Sequence, residues 1–277
     1  MVNFAKVYKD TFIPMLYPFG YSMWKGFFYK DINNELFVFL RIRKEALSPC
    51  PTVKSGLGIF PYCIDSTEEF DFVIADGGFD LPYMLKRIVP EKMKPEYYME
   101  LMDASNDDAL LNSLRLFRND VENFVLPYIS QLADLEFLYN ELMGIAGNRI
   151  TSYTYGLSLK LHKYNDALVY VNNELLRNNE ALEKIIIRQA KLKKVELNEV
   201  ETRMLRKRPD FIKTQLIAIE LDITEVEKTI GKFQVIKEAL LANDVGYLDN
   251  LVNAMEEKSR EYIKKWLSGD GVNKTST

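Results

Sequence analysis

Residues 36–43 run Leu36-Phe37-Val38-Phe39-Leu40-Arg41-Ile42-Arg43, and this stretch decides the fold of the first half. Leu36, Val38, Leu40 and Ile42 keep to one side of a two-residue period, the signature of a β-strand. Arg41 and Arg43 fall on its opposite face near the end. Just upstream, Asp31-Ile32-Asn33-Asn34 supplies turn chemistry, so the aromatic-rich run Tyr21 to Lys30 reads as a neighbouring strand. Val53 to Ile64 continues as a third strand, with Gly56 and Gly58 marking a bulge or a close backbone approach. Phe70 to Ala75 makes a fourth. Strands that follow one another through turns describe a small antiparallel sheet, α+β in class, with helices on one face.

Helical patterns flank the strands. Phe4, Val7, Tyr8, Phe12, Met15 and Leu16 recur at helical spacing behind Asn3, a good N-cap, with Pro14 bending or shortening the helix and Gly20 stopping it. From Pro82 the pattern turns helical again. Ser105-Asn106-Asp107-Asp108 places acids at the positive end of a helix striped by Leu110, Leu114, Phe117 and Val121. That helix is predicted to stop before Pro127 and to resume through Ile129, Leu132, Leu135 and Leu138. Gly144 and Gly147 bracket the expected boundary, giving an α+β domain at about 1–143 and a helical domain at 144–277.

Gly20-Tyr21 leading to Phe28-Tyr29, then Leu57-Gly58-Ile59-Phe60, then Leu126-Pro127-Tyr128 after an acidic helix, resembles a bacterial family of unknown function, numbered four-three-zero-four. The resemblance covers residues 4–135. It implies a compact α+β domain with a small antiparallel sheet, and carries over no activity and no catalytic residue. Residues 150–178, with Lys163-Tyr164-Asn165-Asp166-Ala167-Leu168 at their centre, resemble a single tetratricopeptide-type helical hairpin. One copy does not make an array, because stacked repeats need about three units to close a core.

Further on, Asn179 to Lys207 reads as a long charged helix whose apolar spacing, Leu182, Ile186, then Leu197 and Val200, loses register in the middle. After Pro209, Ile212, Leu216, Ile219, Ile223, Val226, Ile230 and Phe233 alternate steps of four and three, the a/d seam of a coiled coil. The tight Lys207-Arg208-Pro209 connection makes an antiparallel hairpin of the two helices. Asn243-Asp244 caps a further helix carrying Leu248, Leu251, Met255, Tyr262 and Trp266, and a disordered tail is expected from Ser268.

The chemical inventory is thin. One histidine, His162, and two cysteines, Cys50 and Cys63, make neither a zinc site nor a nucleophile–histidine relay expected. No catalytic residue, metal ligand or cofactor is assigned. No basic n-region with an apolar core opens the chain and no apolar run is long enough to span a bilayer, so the reading is cytoplasmic with no membrane partner. The acidic loop of Asp71, Asp76, Gly77, Gly78 and Asp80 lacks the ligand spacing of a calcium loop, so glycines that simply turn the chain explain it better. Arg41, Arg43 and Lys44 at a strand end offer an anion site or merely guard an edge strand.

Charge is divided between the halves. Residues 184–208 hold nine Lys and Arg against three Glu. Lys191, Lys193, Lys194, Arg206, Lys207 and Arg208 are therefore the candidate anion- or partner-binding residues. Residues 65–141 are acidic, with 17 Asp and Glu against six Lys and Arg, so the basic helix has an intramolecular counterpart. A pI near 5.4 and the absence of interleaved aromatics argue against nucleic acid. The favoured class is a non-enzymatic interaction or regulatory protein, an immunity-type binder among them, with an unknown protein partner or a second copy bound through the seam. A nucleic-acid-associated protein using residues 184–208 and a carboxylate-only metal-dependent hydrolase are the alternatives.

Overall fold

The computed structural model describes residues 3–45, 51–64, 79–89, 94–194, 200–202, 204 and 210–269. The chain forms two compact units, one of Met1–Leu161 with Val252–Thr277 and the other of His162–Leu251. They do not separate near Gly144 and Gly147 as the sequence reading expects. Residues beyond that point stay with the sheet because the helix Ser152–Lys160 is buried from Thr154 through Leu159. A ring contact between Tyr153 and Phe60 at 6.5 Å ties this helix to a strand.

The first unit is an α+β fold around an antiparallel meander of β1 (Ser22–Trp24), β2 (Phe27–Ile32), β3 (Leu36–Glu45), β4 (Thr52–Pro61) and the two-residue β5 (Phe79–Asp80). The run Tyr21 to Lys30, expected as one strand, is a hairpin. Lys25 (φ 42°) and Gly26 (φ 85°) take the left-handed conformations that match a two-residue turn to the twist of its strands. Asn33 and Asn34 take the same left-handed conformation in the three-residue loop between β2 and β3, and Asp31 Oδ1 accepts the Asn34 N–H at 3.0 Å. The expected strand at Phe70–Ala75 lies outside the described residues.

Register assigns the two faces of the sheet. Phe28, Leu40 and Leu57 stand opposite one another on one face, and Tyr29, Phe39 and Gly58 on the other. Helix α1 (Phe4–Leu16), capped by Asn3 and stopped by Gly20 at φ 81°, lays Tyr8 and Phe12 against Phe28 at 5.4 and 6.5 Å. The second face is covered too, whereas helices on one face were expected. Phe37 and Phe39, at positions that simple alternation gives to solvent, are as buried as Leu36 and Val38. An apolar set on both sides needs two covering layers. Gly58 has its expected close approach: a Cβ there would lie 1.7 Å from the Phe39 ring, so the ring crosses the glycine.

Among the described residues up to 161, the helices that follow are α2 (Leu81–Ile88), α3 (Pro95–Met102), α4 (Asp107–Asp120), α5 (Leu126–Gln131), α6 (Leu135–Ile145) and α7 (Ser152–Lys160). Asn106 Oδ1 accepts the Ala109 N–H at 2.9 Å and caps α4. The expected stop before Pro127 does not occur. Proline has no N–H, and its ring collides with the carbonyl four residues back. The backbone absorbs this by widening into a π-helical turn at Val121–Val125, where the Leu126 N–H bonds the Val121 carbonyl.

The second face is sealed by helix α10 (Val245–Ser268). Ile263 and Trp266 join Phe27, Phe37, Phe39 and Phe60 in one cluster. A charged network ties α10 to the β2–β3 hairpin: Lys160 donates to both Glu35 and Glu256, while Arg260 donates to Glu256 at 2.9 Å and to the Asn34 carbonyl at 2.6 Å. Burial alone would lower the Lys160 ammonium, but the Glu256 and Glu35 carboxylates outweigh it and hold its pKa above the ordinary value.

Burial also acts on the tyrosines. It pushes the phenols of Tyr8 and Tyr21 well above their ordinary value, and those of Tyr62 and Tyr97 as well, with hydrogen bonds to Asp31 and Asp120 adding to the effect. Each is an acid held neutral by the fold, while the unfolded chain ionises near pH 10. This stabilisation is therefore complete below pH 10 and is lost as the pH rises above it. Stability should fall above pH 10 by up to roughly 1.4 kcal/mol per pH unit for each of Tyr8 and Tyr21. The tyrosinate absorbance of these buried phenols, the last part of the total, should then rise in step with loss of helical circular dichroism. Smooth ionisation of every tyrosine near pH 10 in a still-folded chain would contradict this.

Candidate functional site

The second unit is built on two long helices, α8 (Tyr164–Lys193) and α9 (Phe211–Ala242). Tyr170 meets Phe233 at 6.3 Å and Arg188 bonds Gln215 at 3.2 Å, so a late residue of one helix faces an early residue of the other. The pair is an antiparallel hairpin.

The two segments expected at 163–178 and from Asn179 onward are one continuous helix in α8. No glycine or proline interrupts Tyr164–Lys193, and Asn179 bonds back to the Leu175 carbonyl at 2.7 Å from mid-helix. Residues 150–178, read as a helical hairpin, supply α7 to the first unit and the start of α8 to the second.

The seam of α9 is the one read from the sequence. Ile219, Ile230 and Phe233 are buried and Leu216, Ile223 and Val226 half-buried. The facing stripe on α8 is in a different phase from the expected one. Ala167, Val171 and Glu174 are buried near its start and Leu192 at its end, and Val171, Asn178, Ile185 and Leu192 recur every seven residues. Glu174 accepts from Arg177, and its carbonyl takes the Asn178 amide at 2.7 Å. Polar residues at seam positions fix register at some expense in stability. With the seam covered by α8 of the same chain, the sequence argument for a second copy at this seam loses its basis.

The opposite faces are different. On α8, Val169, Leu176 and Ile187 lie whole turns apart, at 50%, 62% and 48% exposure. On α9, Ile217, Leu221 and Val235 do the same at 52%, 64% and 49%. Both helices thus carry an apolar stripe on the side away from their seam. The sequence held the signal, since Val169 and Leu176 are seven apart; the run Ile185-Ile186-Ile187 obscured it by fitting any phase.

The other predicted residues are not brought together. Lys191, Lys193 and Lys194 are exposed at the end of α8, but Lys191 and Lys193 project about 200° apart around the helix. Arg188 is engaged by Gln215 and by Glu201 at 3.6 Å. Arg206, Lys207 and Arg208 lie outside the described residues, as do Asp71, Asp76 and Cys50. At the strand end Glu45 accepts from Lys54 at 2.9 Å and from Arg43 at 3.2 Å, which fills the anion position with a residue of β3 itself. The Arg41 guanidinium lies 4.6 Å over the Phe27 ring.

His162 sits in the left-handed region at φ 54°, its Nδ1 2.6 Å from the Tyr164 hydroxyl, as a link between helices. Cys63 is buried and its thiol is pushed up to about 12 by that burial, so it stays protonated and unreactive at neutral pH. Among the described residues no three His, Cys, Asp or Glu side chains gather to hold a metal ion, and no helix is long and apolar enough to cross a membrane. Comparison with protein-family models, with curated proteins and with solved structures finds no match to this chain.

Proposed function

We propose that this chain is a non-enzymatic, cytoplasmic interaction protein that binds a protein partner through the outer faces of the α8–α9 arm, an immunity-type or regulatory role. One observation carries the reading: the apolar stripes Val169–Leu176–Ile187 and Ile217–Leu221–Val235, each of whose members is about half exposed or more. Scattered exposed apolar residues are ordinary, but aligned ones on a long helix form a surface that a partner covers.

The double substitution Ile187→Asp with Leu221→Asp tests it. Both residues lie off the seam, so the helical circular dichroism and melting of the hairpin should stay unchanged while partner capture drops at least tenfold. Light scattering across a wide concentration range separates a second copy from a different protein. Retention of every bound protein by the folded double variant would overturn the reading.

A further inference from the structure

The first unit holds an open cavity of about 690 Å3 between α2, the π-helical turn, α5 and α6. Its size falls in the range of small-molecule sites. Phe124, Pro127 and Phe137 line it together with Arg87, Tyr128 and Glu141, and Tyr128 meets the Phe137 ring edge-on at 6.2 Å. The charged part is constructed rather than incidental. Arg87 lies 3.6 Å from Glu141, and the Tyr128 hydroxyl donates to the same carboxylate at 3.0 Å. Gly144 makes room for the guanidinium, because a Cβ there would stand 3.1 Å from its terminal nitrogen. Gly144 lies in the last turn of α6, and the space it leaves is the space beside the guanidinium.

The pair is also incomplete. Its separation is longer than the ~2.8 Å of a full charge-assisted hydrogen bond, and the Arg87 Nε is buried with no hydrogen-bond partner among the described residues. Guanidinium has five donors and carboxylate about four acceptor positions, so each retains capacity after meeting the other. Burial, then the Glu141 charge, holds the Tyr128 phenol well above its ordinary value and keeps it a donor. Arg87 and Tyr128 both reach the same oxygen of Glu141.

We propose that this cavity binds a free amino acid with a large apolar side chain. The ligand carboxylate pairs with Arg87, the ammonium with Glu141, and the side chain lies against Phe124 and Phe137. A neighbouring cation and anion, both half-buried, match a zwitterion, and a ligand carrying one charge only meets one of the two groups and forgoes the other contact.

Calorimetric titration of the full chain with L-phenylalanine, L-leucine, glycine, N-acetylphenylalanine and phenylalaninamide tests this. Saturable binding of phenylalanine and leucine is expected, with each singly charged derivative and glycine at least tenfold weaker. Arg87→Gln and Glu141→Gln should each lose tenfold or more. Gly144→Ala keeps both charges and the helix while displacing the guanidinium, and should also weaken binding severalfold with unchanged circular dichroism. No heat with any of these ligands, equal binding of the N-acetyl derivative, or undiminished binding by the folded Gly144→Ala protein would each overturn the assignment.

Discussion

Trp266→Ala should destabilise the first unit by about 3–5 kcal/mol, the usual effect of deleting a buried tryptophan. Trp266 is 7% exposed, 4.0 Å from Trp24 and 5.9 Å from Phe27, so its loss opens a hole over the second face of the sheet. The chain has two tryptophans, which leaves Trp24 as the only indole in the variant. Urea unfolding followed by Trp24 fluorescence reports the uncovered face directly, with an emission shift to longer wavelength expected even before the transition. A Trp266→Phe chain should recover much of the loss. Stability within about 0.5 kcal/mol of the parent in Trp266→Ala would mean that α10 does not seal this face.

Gly156→Ala should cost about 2 kcal/mol. A Cβ at this position would stand 1.8 Å from the Cys63 carbonyl oxygen and 2.7 Å from its carbon, and a backbone group cannot swing aside as a side chain does. Overpacking of this kind costs up to about 3 kcal/mol, of which alanine's better helix propensity returns about 1. Gly231 supplies the contrast. It also lies inside a helix, but nothing stands within 4 Å of its missing Cβ. Gly231→Ala should therefore raise stability, by up to about 1 kcal/mol. Opposite signs for the two substitutions in matched urea curves are the expected result; a stabilising Gly156→Ala would show that α7 is free to move off the turn that follows β4.

Local chemistry was the legible part of this chain. The β3 strand, the Asp31–Asn34 turn, the Asn3 cap, the helix opened by Ser105-Asn106-Asp107-Asp108 and the α9 seam all follow from short-range rules, and the structure has each of them. Long-range covering was not legible. The second aromatic set on β2 and β3 gives no hint that its cover is Trp266, more than 200 residues away. Nor does Gly144 differ as a residue type from a hinge glycine; its use is the space it leaves for Arg87. The α8 seam was hidden because Glu174 and Asn178 occupy positions where an apolar residue would have marked the phase. The cavity was invisible for a related reason, as Arg87, Tyr128 and Glu141 come from three separate helices.

The discontinuous make-up of the first unit has a consequence for biosynthesis. A ribosome delivers Phe27, Phe37, Phe39 and Phe60 about 200 residues before Ile263 and Trp266. At ~5–20 residues per second, the nascent sheet waits on the order of 10–40 seconds for the helix that covers its second face. Through that interval the α8–α9 hairpin, which belongs to the second compact unit, can form while four phenylalanines stay uncovered on that face. A message cut short within α10 would release a chain with a folded arm and a sticky sheet, a natural client for holdase chaperones.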